Sequence, residues 1–171
     1  MQNTKPKVLI VDDEKGLRIG VQRLLEMEGY EVDVAENGTE GIKLGTSKDY
    51  DLAVIDLKMP DIEGIEVLKN IKQKFPNTVC FIATAYASYD TAIEATKLGA
   101  QSYIPKPFTP EELISELKNG YQKRQLLLEE EKWKREREER LLEVAFEKTR
   151  LNTIINSITY GVLVVNQERR A

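Results

Sequence analysis

Five short apolar runs alternate with segments of helical period across the first 120 residues, and this alternation limits the fold more than any other feature. Val8-Leu9-Ile10-Val11, Leu52-Ala53-Val54-Ile55 and Val79-Cys80-Phe81-Ile82-Ala83 are unbroken apolar stretches, the pattern of strands covered on both faces. Glu31-Val32-Asp33-Val34-Ala35 alternates polar with apolar, as a half-exposed strand does, and Gln101 to Ile104 reads as a short fifth strand. Between the runs, Leu17, Val21 and Leu24/Leu25, then Ile42 and Leu44, then Ile65, Leu68, Ile71 and Phe75, recur at helical spacing. A fourth helix is predicted over about 88–98, before Gly99. Thr109-Pro110-Glu111-Glu112 opens a fifth, with Thr109 as N-cap, Pro110 at the first position and Glu112 three residues on, completing a capping box. Strand–helix repetition of this kind predicts an α/β fold, a doubly wound parallel sheet of five strands.

The fifth helix has no clear stop. Gly120 is a weak point, since glycine lowers helix propensity. Beyond it, Glu129 to Arg140 holds eleven charged residues and Trp133, with Glu130/Lys134, Glu131/Arg135 and Glu136/Arg140 in the favourable i,i+4 order. Leu141, Val144, Leu151, Ile155 and Ile158 then resume 3–4 spacing, with Lys148 interrupting, so residues 121–150 read as a charged helical linker with coiled-coil character. In the last twenty residues Leu151 to Ile158 looks helical, Tyr160-Gly161 reads as a turn, and Val162-Leu163-Val164-Val165 reads as a strand.

Composition removes several kinds of chemistry. There is no histidine, so Ser-His-Asp hydrolysis, the usual zinc sites and a phosphohistidine within this chain are excluded. One cysteine, Cys80, sits mid-strand, where a buried apolar role is expected, and it cannot form an internal disulfide. That fits a cytoplasmic location, as does the lack of an apolar export segment or membrane-length run. Residues 1–120 carry 14 basic and 20 acidic side chains, and residues 121–171 carry 11 and 9, so neither part has the strong basic excess of a nucleic-acid binder. No GxxxxGK[ST] phosphate loop occurs.

Ligands of open α/β sheets collect at the carboxyl ends of the strands. Here the first strand runs into Asp12-Asp13, the third into Asp56, the fourth into Thr84-Ala85, and the fifth is followed by Lys106-Pro107. Three carboxylates, a hydroxyl and an ammonium therefore converge. Adjacent carboxylates repel, and a hard divalent cation with oxygen ligands, Mg²⁺ above all, relieves that repulsion. A cation, a lysine and a hydroxyl suit a phosphoryl group, which one carboxylate can accept as nucleophile. A strand-end Asp taken singly is more often a cap or turn residue; agreement among four strand ends is what carries the reading.

Residues 6–120 resemble the receiver domain of two-component response regulators. The matching residues are Val11-Asp12-Asp13-Glu14, Asp56-Leu57-Lys58-Met59-Pro60 with Gly64, Ala83-Thr84-Ala85, Gly99-Ala100 and Tyr103-Ile104-Pro105-Lys106-Pro107-Phe108. The resemblance implies a flavodoxin-like strand order 2-1-3-4-5. It implies Asp56 as phosphoacceptor, and Mg²⁺ held by Asp12, Asp13, Asp56 and the backbone carbonyl of Lys58. It implies that Lys106 and Thr84 contact the phosphoryl group, that Tyr103 moves in concert with Thr84, and that the peptide before Pro107 is cis. A sensor histidine kinase or phosphotransfer protein would supply the phosphoryl group.

The tail, Leu151-Asn152 to Ile158 and Gly161-Val162-Leu163-Val164-Val165-Asn166, is similar to the opening of a PAS sensory domain. The expected organisation is a receiver at 1–120, a helical linker at 121–150, and the beginning of a truncated PAS-like domain at 151–171. This implies a piece of a longer protein, whose output region, a histidine kinase or diguanylate cyclase for instance, lies outside the chain. Phosphorylation at Asp56 would be relayed through the C-terminal helix, which would pair two copies into a parallel homodimer. The alternative is a receiver-like interaction scaffold that works without phosphate. A haloacid-dehalogenase-type phosphatase needs its second aspartate two residues after the first, which adjacent Asp12 and Asp13 do not provide.

Overall fold

The structure is a computed structural model and describes residues 5–86 and 88–169. Strands β1 (Lys7–Val11), β2 (Glu31–Ala35), β3 (Leu52–Asp56), β4 (Val79–Thr84) and β5 (Ala100–Pro105) alternate with helices α1 (Lys15–Met27), α2 (Gly38–Ser47), α3 (Gly64–Lys74), α4 (Tyr89–Lys97) and α5 (Pro110–Glu168). All strands are parallel, in the order β2-β1-β3-β4-β5. In β1 to β3, Leu9 pairs with Ala53 and Val11 with Ile55; in β3 to β4, Asp56 pairs with Ala83. That register brings the chemically loaded strand ends to one edge.

The period of two in each strand sorts the apolar residues into two cores. Leu9, Val11, Ala53, Ile55, Cys80 and Ile82 pack with Ile65, Leu68 and Ile71 of α3 and Ala95 of α4. Val8, Ile10, Leu52, Val54, Phe81 and Ala83 pack with Val21 and Leu25 of α1 and Leu113 and Leu117 of α5. Every residue of β3 and β4 is buried, which explains why their sequences show no polar alternation. Cys80 is fully buried and its thiol is pushed up to about 12, the inert role its strand position predicts.

The capping box at the start of α5 forms, with Glu112 N–H donating to Thr109 Oγ1 (3.2 Å) and Thr109 N–H donating to Glu112 Oε2 (2.8 Å). Gly120 does not interrupt the helix. A Cβ there would lie 2.4 Å from Phe81 Cζ, so the missing side chain lets α5 seat closely on the sheet. One turn on, Arg124 is buried and its guanidinium donates to Asp49 Oδ2 (2.6 Å) and Asp51 Oδ1 (3.4 Å). The first compact unit accordingly ends at Leu128, and the second begins at Glu129.

Within the second unit the chain stays helical through Glu168, including the Tyr160-Gly161 turn and the strand expected at 162–165. A strand must find partners for its backbone groups on another strand, whereas a helix satisfies them internally. Among the described residues no helix is long and apolar enough to cross a membrane.

Candidate functional site

Asp12 follows β1, Asp56 closes β3, Thr84 closes β4 and Lys106 follows β5, so the topology gathers them at one sheet edge. The carboxylate oxygens of Asp12, Asp13 and Asp56 lie within 4.8 Å of one another. Asp12 and Asp56 are buried, at 4% and 8% exposure, while Asp13 faces solvent. The cluster is open on one side, as a site taking a ligand from solution must be.

Lys106 Nζ donates to Asp12 Oδ2 at 2.5 Å and to Asp56 Oδ2 at 2.9 Å. Its backbone N–H donates to the Thr84 carbonyl (3.0 Å), which fixes the β5–α5 loop to the end of β4. The Lys106–Pro107 peptide is cis. Asp12 Oδ1 accepts from Glu14 N–H (2.8 Å) and Asp56 Oδ1 from Lys58 N–H (3.2 Å), so each buried carboxylate is held by its own following loop as well as by the lysine.

Burial pushes the Asp12 carboxyl above its ordinary value, against the opposing pull of Lys106 and the Glu14 N–H. Burial also pulls the Lys106 ammonium down, but hydrogen bonds and charges from Asp12 and Asp56 outweigh it and raise Lys106 overall. Carboxylates packed this closely, with Asp12 disfavoured as an anion, suit a further cation. The donor set is all oxygen, the preference of Mg²⁺ and Ca²⁺.

Thr84 is buried at the end of β4, its Oγ1 accepting from Tyr86 N–H at 3.1 Å. It directly follows Ala83, the residue that pairs with Asp56 across β3 and β4. Tyr103 on β5 packs against the core on the α3–α4 side, and its hydroxyl is buried without a hydrogen-bond partner. The Lys58 side chain reaches Glu63 Oε1 (2.9 Å), leaving its main chain as the part bound to Asp56.

Two supporting residues lay outside the sequence reading. Arg18 on α1 is buried and donates through Nη1 to the Asp12 carbonyl at 2.7 Å. Its signal is an arginine sharing the inward face of α1 with Val21 and Leu25. Asp61, in the loop after β3, binds the start of α2 through Gly38 and Thr39. Partners 22 and 23 residues away leave no local sequence signal.

The family model for the response regulator receiver domain matches residues 8–118. The transcriptional regulatory protein ResD of Bacillus subtilis (strain 168) is 38% identical over 117 residues, covering 68% of this chain and 48% of that protein. Sporulation initiation phosphotransferase F of the same organism is 38% identical over 112 residues, covering 66% of this chain and 90% of that protein. The chain thus matches about half the length of ResD and nearly all of the phosphotransferase. Among solved structures, the CheY-like receiver domain protein of Methanospirillum hungatei JF-1 superposes with a TM-score of 0.70 at 32% identity, covering 71% of this chain and 98% of that one. A response regulator of Burkholderia pseudomallei, described with a phosphorylated aspartic acid, a calcium ion and citrate, superposes at 0.62 with 29% identity over 65% of each chain.

Proposed function

The chain belongs to the response regulator receiver family, and from that premise we propose that it accepts a phosphoryl group on Asp56 in a Mg²⁺-dependent reaction and relays the change through α5. The observation that carries the reading is the cluster of Asp12, Asp13 and Asp56 with Lys106 bonded to two of them. A phosphate-independent scaffold has no use for such a cluster, because closely packed carboxylates weaken the fold that holds them.

In this reading Asp12, Asp13, Asp56 and the Lys58 carbonyl would hold Mg²⁺, which would supply charge neutralisation at the phosphoryl oxygens. Asp56 attacks phosphorus through a carboxylate oxygen. The new O–P bond forms as the P–N bond of a phosphohistidine, or the P–O bond of acetyl phosphate, breaks, and the departing group keeps the electron pair. Lys106 turns its ammonium from a carboxylate to a phosphoryl oxygen. Thr84 donates its hydroxyl to another, which an oxygen already accepting from Tyr86 N–H is free to do. Tyr103, two residues before the Pro105 that pairs with Thr84, has a buried unpartnered hydroxyl and would respond when Thr84 shifts. A sensor kinase or phosphotransfer protein in the cytoplasm supplies the phosphohistidine, which these 171 residues, lacking histidine, do not contain. Incubation with acetyl phosphate should add one phosphoryl group by intact mass when Mg²⁺ is present and none in EDTA; equal uptake in both would overturn the metal dependence.

In this reading the receiver proper is residues 1–120, with its last helix still packed on it as far as Leu128; the linker runs on through residue 150, and residues 151–171 are similar in sequence to the opening of a PAS domain. The partner of the linker is a second copy of this chain. Leu141, Val144, Leu151, Ile155 and Ile158 are each more than half exposed, and with Lys148 they follow alternating steps of three and four residues. That spacing is the seam of a two-stranded coil, in which a single lysine at a core position fixes register at some expense of stability. In sedimentation at micromolar concentration the whole chain is expected to dimerise and a chain ending at Leu128 to remain monomeric. Monomers in both cases would remove the coil as a dimerisation element.

A further inference from the structure

The loop between β3 and α3 carries Lys58, and three separate devices hold it. At its base, Gly64 N–H donates to the Leu57 carbonyl (2.9 Å), and a Cβ on Gly64 would lie 2.1 Å from the Asp56 carbonyl oxygen, so only glycine allows this closure. Across it, Lys58 pairs with Glu63, but both side chains are more than half exposed, and such pairs hold weakly. At its tip, Asp61 reaches out of the loop altogether. Its Oδ1 accepts from Gly38 N–H (2.9 Å), and its Oδ2 accepts from Thr39 N–H (2.8 Å) and from Thr39 Oγ1 (2.7 Å).

These bonds do more than cap α2. The helix already has its own cap, Asn37, whose Oδ1 accepts from Glu40 N–H at 2.8 Å. Asp61 satisfies the two preceding donors from a different part of the chain. The approach is close, since a Cβ on Gly38 would fall 2.7 Å from Ile62 Cβ. The hydroxyl and N–H of Thr39, with the N–H of Gly38, hold the Asp61 carboxyl well below the usual carboxylate range, so the staple is ionised throughout the neutral range.

We propose that Asp61 is a positioning residue for the cation site: by fastening the loop tip to α2 it sets where the Lys58 main chain stands relative to Asp56. The proposal rests on the Mg²⁺ reading of the pocket. A purely structural staple and a positioning staple differ in one measurable way, because only the second changes affinity for a cation that Asp61 never touches.

The test is Mg²⁺ binding to the whole, unphosphorylated protein, followed by amide chemical shifts with no phosphodonor present, alongside far-UV circular dichroism. Asp61→Ala is expected to weaken Mg²⁺ affinity by about tenfold, the lower end of what losing a group that orients a metal ligand does to a site. Asp61→Asn keeps one acceptor and should recover part of that loss. Thr39→Val removes the hydroxyl bond alone and should weaken affinity roughly twofold, with little risk to folding. Wild-type affinity in both Asp61→Ala and Thr39→Val would overturn the positioning role and leave a structural staple. Absence of Mg²⁺ binding by the wild-type protein would instead overturn the parent reading, and this one with it.

Discussion

Asp56→Asn is expected to abolish phosphoryl uptake from acetyl phosphate while leaving the protein folded. The amide oxygen is a far weaker nucleophile than the carboxylate it replaces, and among the described residues no other buried carboxylate is placed to substitute: Asp12 is bonded to Lys106 and to Glu14 N–H, and its anion is disfavoured by burial. Folding should survive because the substitution keeps size and shape and removes one of three mutually repelling charges, with the Lys106–Asp12 pair intact. The thermal midpoint should equal or exceed that of the wild type. Intact-mass measurement checks the first expectation and calorimetry the second. Undiminished phosphate on Asp56→Asn would place the acceptor elsewhere.

The second large effect is expected from Lys106→Met. The substitution keeps most of the aliphatic stem and deletes the charge that serves both Asp12 and Asp56, whose side chains are only 6% and 11% exposed. Removing one member of a buried ion pair strands the other, an effect of about 3–5 kcal/mol in closed sites and about 2–3 kcal/mol where one side is open to water, as here beside Asp13. The corresponding fall in midpoint is about 6–10 °C. Lys106 is held above its ordinary value in the folded state, so its stabilisation is complete below the unfolded lysine value and is lost only as pH rises through the raised one. Measurements near neutrality therefore record its whole contribution. Saturating Mg²⁺ should restore part of the loss, because it binds the folded cluster and supplies the missing positive charge. A variant as stable as wild type without Mg²⁺ would show that Lys106 does not balance the cluster.

The sheet was readable because its central strands are buried on both faces and so appear as unbroken apolar runs; Leu52 to Ile55 and Val79 to Ala83 could hardly be anything else between helix-period segments. The site followed from the sheet, since Asp12, Asp56, Thr84 and Lys106 stand where parallel strands end. What failed to show were effects of contact across the fold. Gly120 reads locally as a helix breaker, yet its lack of a side chain is what admits Phe81, and Arg124 behind it is tied to Asp49 and Asp51 more than seventy residues earlier. Val162 to Val165 reads as a strand because four apolar residues fit either period, and the choice depends on whether a pairing strand exists. Arg18 and Asp61 support the site through partners that adjacent sequence does not announce. Local pattern thus located the reacting groups, while the groups that hold them in place emerged only with the packing.

The central claim is that the cluster is built for a phosphoryl group beside a divalent cation, and not for phosphate-independent docking. Beryllofluoride, a non-covalent mimic of an acyl phosphate, tests this most directly when added to the wild-type protein with and without Mg²⁺ and followed through backbone amide chemical shifts. The account predicts saturable shifts at Asp56, Thr84 and Lys106, extending to Tyr103, when both reagents are present and not with beryllofluoride alone. Unchanged spectra with both reagents would contradict it and favour the scaffold.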